Sequence, residues 1–309
     1  MLSNDKKEFI KVKPLKIGDK IGILSPASPL EKEKIKKGAE FIKSFGFETE
    51  ISKSSFSISK HSYMAGSIKG RIDDLHYMFK KDEIKAIICA RGGYGSMRIL
   101  EYIDYQLIRD NPKIFVGYSD TTALLMAIIK KAGIITFHGP MLKDIMELSN
   151  KYLSLFWNIL QKKCKEIKAE KAKALLSAEK EIEGILLGGN LSMIASLVGT
   201  DYLPICKKVI LFLEDINEPY YKIDRMLTQL RLSGFFKNVS ALILGQFKDC
   251  GKKDIINQIV LDIVSDIGFP ILYDFPIGHS NQNMLIPLGI RVRLNTEQKT
   301  ITFLEEPFI

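Results

Sequence analysis

Lys113-Ile114-Phe115-Val116-Gly117-Tyr118-Ser119-Asp120-Thr121-Thr122 decides the fold. An apolar run short enough for a buried strand passes through one glycine into Ser-Asp-Thr-Thr, and a helical pattern then follows from Thr121 to Ala132. Strand, sharp turn and helix in immediate succession form half of a βαβ unit, and the same grammar repeats on both sides. Upstream, Lys20–Ser25 reads as a strand, 31–45 as a helix, 48–51 as a strand, 70–79 as a helix, 85–89 as a strand and 96–103 as a helix. Downstream, 134–137 closes the series. Alternation of this kind predicts a parallel sheet with helices on both faces.

The pattern changes after about Met146. Residues 149–180 are Lys-rich, with little turn chemistry, and read as a helical linker between an N-terminal α/β domain (1–148) and a C-terminal domain (181–309). The second domain carries shorter predicted strands at 183–187, 209–213, 241–244, 290–294 and 300–303, with helices at 223–232 and 253–267. It reads as a smaller mixed α/β unit with more antiparallel pairing.

Composition bounds the function. The 309 residues are 46% hydrophobic and 26% charged, the profile of a globular chain with a sizeable core. The formal charge of +9 comes from 45 Lys and Arg against 36 Asp and Glu. A Lys-rich proteome accounts for it, and so does attraction of an anionic ligand. The cations are scattered, with no aromatic-interleaved basic stripe, which argues against nucleic acid. The N-terminal twenty residues have no apolar core or small-residue cleavage site, and no run approaches the roughly 18 apolar residues of a membrane span. The four cysteines, Cys89, Cys164, Cys206 and Cys250, are far apart and fit neither a zinc pattern nor a disulfide framework. The expectation is a cytoplasmic protein with free thiols and no metal or other cofactor.

Four segments carry chemistry. Ser119 sits at a strand-to-helix turn, where a hydroxyl is lifted above the sheet and the following amides are unpaired; the same residues also make a good helix N-cap. Arg91-Gly92-Gly93-Tyr94-Gly95 lies between strand and helix and suits a phosphate loop, a tight turn or an oxyanion donor beside Ser119. Glu214 and Asp215 follow directly on a strand, a placement that suits a metal site, the orienting acid of a triad or a solvated helix cap. His279 lies on the loop Pro276–Asn283, among Gly, Ser and Asn, as a functional base or an ordinary polar loop residue. Of the other histidines, His76 reads as helical surface, His61 lies in a polar segment, and His138 follows a strand where it would line the same cleft.

These segments, in this order, resemble the LD-carboxypeptidase family of serine peptidases. The likeness runs from Pro26-Ala27-Ser28-Pro29 to Leu288-Gly289, through Ala90–Gly95, Gly117–Asp120, Thr136–Pro140, Gly188-Gly189-Asn190-Leu191, Leu213–Asp215, Tyr221–Leu227 and Gly278-His279. It implies Ser119 as nucleophile, His279 as general base and Glu214 as the acid that orients it, with Glu218 the other candidate for that last role. It further implies an oxyanion hole from the amides of Gly93 and Asp120, and substrate contacts from Arg91 and Gly92. The implied substrate is a muropeptide tetrapeptide losing its terminal D-alanine in cell-wall recycling, and the implied assembly is a homodimer. A sister branch, the microcin C immunity peptidases, cleaves aminoacyl or peptidyl nucleotide analogues. A metal-dependent hydrolase using Glu214, Asp215 and His279, and an anion-binding protein built on the Arg91–Gly95 loop, are the readings outside the family.

Overall fold

The computed structural model describes residues 9–177 and 179–309. The first sheet is assembled from β1 (Lys20–Leu24), α1 (Lys32–Lys43), β2 (Glu48–Ile51), α2 (Ile68–Lys80), β3 (Ile84–Cys89), α3 (Tyr105–Asp110), β4 (Ile114–Gly117), α4 (Thr122–Ala127) and β5 (Thr136–His138). The short α5 (Leu142–Ile145) and then α6 (Asn150–Leu160) lead out of it. Strands β1 to β5 are all parallel and run in the order β5-β4-β3-β1-β2. β1, β3 and β4 are almost wholly buried, as their unbroken apolar runs require when helices cover both faces. The reversal of strand order beside β1 and β3 opens a crevice at the carboxyl ends of these strands, where ligands of open α/β sheets bind.

The second sheet has eight strands. β6 (Glu166–Lys168) and β7 (Lys173–Leu176) are followed by β8 (Glu181–Asn190), α7 (Leu191–Leu197), β9 (Val209–Ile216), α8 (Tyr220–Leu232), β10 (Val239–Lys248), α9 (Lys253–Val264), β11 (Ile271–Tyr273), β12 (Ile286–Leu288), β13 (Arg291–Asn295) and β14 (Thr300–Phe303). The order is β6-β14-β13-β8-β9-β10-β11-β7. Its centre, β8 to β11, is parallel, and antiparallel strands flank it on both sides.

Two features differ from the sequence reading. The segment 149–180, expected to be a helical linker, holds α6 and then the two edge strands of the second sheet. Both strands are short and lysine-bearing, as suits an edge that must not recruit another chain. Their brevity hides them from a period-2 search. β12 leaves the C-terminal half altogether and pairs antiparallel with β5, Ile286 opposite His138. The two halves are therefore sewn together by a strand, and one apolar cluster runs through both.

Candidate active site

β4 ends at Gly117, and the chain turns at once into a single 3-10 turn, Ser119–Thr121, before α4. Ser119 is forced to φ 60°, a conformation that a non-glycine residue adopts at a cost and that commonly marks a functional position. The turn leaves no room for side chains behind it. A Cβ on Gly117 would lie 2.3 Å from Thr121 Oγ1, and one on Gly92 would lie 2.9 Å from Ser119 Oγ and 3.2 Å from the Asp120 amide. Gly92 is thus what lets the loop after β3 rest against the serine. Among the described residues, neither the Gly93 nor the Asp120 amide has a hydrogen-bond acceptor.

Two buried charges hold that loop in place. The Asp120 carboxylate accepts from the amides of Gly95 (3.3 Å) and Ser96 (2.9 Å). Arg71, fully buried on α2, donates to the carbonyls of Pro26 (2.6 Å) and Gly95 (3.0 Å). Burial pushes the Asp120 carboxyl up, against the lowering effect of the Ser96 and Gly95 donors and of Arg71. Sequence reasoning gave Asp120 only its amide and missed Arg71, which stands among ordinary polar helix residues. No local signal in the sequence sets it apart from those neighbours. Arg91 itself donates to the Pro29 carbonyl (3.2 Å), and its buried Nε has no partner among the described residues.

The opposite wall comes from the second sheet. Glu214, at the end of β9, is completely buried, and its Oε2 lies 2.7 Å from His279 Nδ1. This approach depends on glycines: a Cβ on Gly278 (φ +117°) would sit 2.7 Å from Glu214 Oε2, and one on Gly245 would sit 3.1 Å from Glu214 Cβ. The histidine loop is pinned by Gly278 N donating to Asn283 Oδ1 (2.9 Å) and Gln246 N donating to the Ile277 carbonyl (2.8 Å). Glu218 lies farther along and forms an ion pair with Lys222, 3.3 Å away, instead of reaching the histidine.

Successive strand residues face opposite ways, so Asp215 turns from Glu214 toward α7. Its oxygens accept from Asn190 Nδ2 (2.8 Å) and from the Ser192 amide (2.9 Å) and hydroxyl (2.6 Å). The Glu214, Asp215 and His279 set expected of a metal hydrolase is therefore not gathered at one point, and no group of three metal-ligating side chains occurs among the described residues.

The halves meet at the serine. The Tyr118 and His279 rings lie 4.8 Å apart, which places the histidine beside the residue preceding Ser119. The Asn190 amide donates to Thr122 Oγ1 (3.2 Å), and Gly189 lacks the Cβ that would strike Thr122. Among the described residues no hydrogen bond joins Ser119 Oγ to His279; such bonds are often long in unliganded enzymes and tighten on substrate binding. His138 lies behind this contact, wholly buried between the Tyr118 and Phe212 rings, with neither nitrogen hydrogen bonded among the described residues. Burial lowers its pKa to about 4, so it is a neutral wall and not a lining of the open cleft. On the far side of His279 a pocket of about 400 Å³ opens, with Lys248, Lys253 and Asn257 on its walls.

The proteins this chain resembles fall in a peptidase family. Residues 21–139 match the family model of the LD-carboxypeptidase N-terminal domain, and residues 183–294 match that of the C-terminal domain. A probable murein peptide carboxypeptidase of Bacillus subtilis is 36% identical over 94% of this chain and 93% of its own length. The microcin C7 self-immunity protein MccF of Escherichia coli is 30% identical, over 95% of each chain. The crystal structure of a muramoyltetrapeptide carboxypeptidase from Oxalobacter formigenes superposes with a TM-score of 0.78 at 29% identity, covering 91% of this chain and 97% of that one. With both domain models matched and these relatives spanning nearly its full length, the chain belongs to the LD-carboxypeptidase family of serine peptidases.

Proposed function

We propose that the protein removes the terminal D-alanine from muropeptide tetrapeptides, using Ser119, His279 and Glu214. The observation that carries the assignment is the buried Glu214–His279 hydrogen bond set beside a serine at positive φ. With the Nδ1 proton held by Glu214, Nε2 presents its lone pair. It takes the Ser119 hydroxyl proton as Oγ attacks the carbonyl carbon of the L,D bond. The developing oxyanion falls to the amides of Gly93 and Asp120. Collapse breaks the C–N bond, the imidazolium returns its proton to the amine of D-alanine, and water then releases the tripeptide by the same proton relay in reverse. Glu214 holds the ring in place and balances the imidazolium charge.

A carboxypeptidase must also hold a free carboxylate. Arg91 is one candidate, though its guanidinium is tethered at Pro29. Lys248 is the other, since its neighbour in the pocket, Lys253, is already paired with Asp274 at 2.6 Å. The reading carries with it a cytoplasmic location, expected from the composition, and a homodimer, implied by the family likeness; sedimentation would test the second. The likeness to MccF supports an aminoacyl-nucleotide substrate as the second reading. The deciding experiment offers purified protein the tetrapeptide free acid, its C-terminal amide, an all-L tetrapeptide and an aminoacyl-nucleotide analogue. Release of D-alanine from the free acid alone is expected. Equal cleavage of acid and amide excludes a carboxypeptidase, and preference for the nucleotide moves the protein to the immunity branch.

A further inference from the structure

An arm between β2 and α2 folds back on itself through the bridge Ile58–Ala65 and the bond from the Ser59 amide to the Met64 carbonyl. It carries an aromatic cluster that the chemistry above does not use. The His61 and Tyr63 rings stack at 5.9 Å, and Tyr63 meets Tyr94 edge to face at 5.6 Å and 67°. Both tyrosines are about half exposed, at 47% and 53%. Adjacent exposed rings on a soluble protein usually mark a binding surface.

Their position is tied to the candidate catalytic loop. Ser28 Oγ donates to the Tyr63 carbonyl (2.7 Å) and accepts from the Tyr94 amide (3.1 Å), so one hydroxyl locks the arm to the glycine loop. Tyr94 follows Gly92, which abuts Ser119, by two residues. Two residues span at most about 7 Å. The corner formed by the rings is therefore roughly one side-chain length beyond that from the nucleophile. Among the described residues neither tyrosine hydroxyl has a protein partner, so each ring offers an apolar face and a free polar tip.

We infer that the Tyr63–Tyr94 corner is a saccharide subsite that receives the muramoyl ring of the substrate. A pyranose presents a C–H face to one ring and hydroxyls to the phenol tips. In a muramoyl-tetrapeptide three residues separate the sugar from the scissile carbonyl, about 10 Å when extended, a length that falls within the upper limit on the reach from Ser119 to the corner. The inference rests on the muropeptide reading above and adds where the sugar goes.

The test compares kinetics on muramoyl-tetrapeptide and free tetrapeptide. Tyr63→Ala and Tyr94→Ala should each raise KM for the sugar-bearing substrate about tenfold with kcat kept, the mark of lost uniform binding. Cleavage of the free tetrapeptide should stay within about twofold, and the Tyr→Phe variants should stay within about threefold on both substrates. Equal losses on the two substrates, or none on either, overturn the subsite, as does a loss confined to an aminoacyl-nucleotide analogue. If wild-type protein cleaves neither peptide, the muropeptide reading fails by itself. The subsite is then judged by calorimetric binding to the Ser119→Ala protein. Tighter binding of muramoyl-peptide than of free peptide, lost in Tyr63→Ala, supports it, and equal binding overturns it.

Discussion

Gly278→Ala isolates what the glycine before the histidine contributes. Two penalties arise. The backbone sits at φ +117°, outside the comfortable range of an L residue, at a cost of about 1–3 kcal/mol. The new methyl would also lie 2.7 Å from Glu214 Oε2, where ordinary contact begins at 3.4 Å, so carboxylate and loop must part by about 0.7 Å. Added to a Glu214–His279 distance of 2.7 Å, that reaches about 3.4 Å, beyond a sound hydrogen bond. Misplacement of catalytic groups on this scale costs on the order of 10² in rate. Gly268→Ala is the control: it has φ +87° but nothing within 4 Å of its new methyl. Thermal denaturation should show both variants destabilised, Gly278→Ala the more so because it adds the clash to the backbone penalty that the two share. Assay of kcat/KM on tetrapeptide at 25 °C should show a hundredfold loss for Gly278→Ala alone, by the estimate above. Wild-type kcat/KM in Gly278→Ala would refute the idea that Glu214 works through its contact with His279.

Ser119→Ala should abolish turnover, by about 10⁴–10⁶, while relieving backbone strain only slightly; activity above a tenth of wild type in a D-alanine release assay would remove it as nucleophile. Glu214→Gln should cost less than Ser119→Ala, and Glu218→Gln should be nearly silent in steady-state kinetics because that carboxylate faces Lys222; the reverse ranking would exchange their roles. His138 should make the fold acid-sensitive. Burial holds its folded pKa at about 4, below the 6.5 of a free imidazole, so the unfolded chain binds the extra proton first. Stability is full above pH 6.5 and falls as the pH drops toward 4, by about 3 kcal/mol in all. Urea titrations of wild type and His138→Phe across that range should show a slope that the variant lacks.

Much of this architecture is legible in the sequence where one physical signal dominates. Short unbroken apolar runs bounded by glycine, such as Ile114–Gly117, read as buried parallel strands, and the structure has them as β4 and its neighbours. Where signals are short or non-local, the sequence is silent. β12 is three residues with a proline in the middle, Ile286–Leu288, a pattern that argues against a strand until an edge beside β5 accommodates it. The helical face 70–79 is visible, but nothing local says that Arg71 is carried into the interior. The carbonyls of Pro26 and Gly95, the Met64 sulfur and the nearby Asp120 charge, all contributed from elsewhere in the chain, make its burial tolerable. Likewise the sequence favours Glu214 over Glu218 only by its place nearer the strand end, whereas in space Gly278 and Gly245 let Glu214 approach His279 and Glu218 pairs with Lys222.

The adjacent acids of β9 illustrate how a site shared by two halves can be kept in register. Glu214 points to His279, and Asp215, on the opposite face of the same strand end, grips Asn190 and Ser192. Asn190 in turn donates its backbone N–H to Thr122 Oγ1, and Thr122 stands three residues from Ser119 on the first turn of α4. One rigid strand end therefore fixes the histidine directly and the serine-bearing helix at one remove. Neither link passes through a mobile surface: Asp215 and Asn190 are nearly excluded from solvent, and Glu214 and Thr122 completely so. Buried, hydrogen-bonded charges of this kind add little net stability, because desolvation offsets the attraction. They do define a single arrangement, since a slip between the halves would break the bond from the Asn190 backbone N–H to Thr122 Oγ1 and leave that buried donor unpaired. The positioning of Ser119 against His279 thus depends on the polar chain from Asp215 to Thr122 as much as on the apolar core around it.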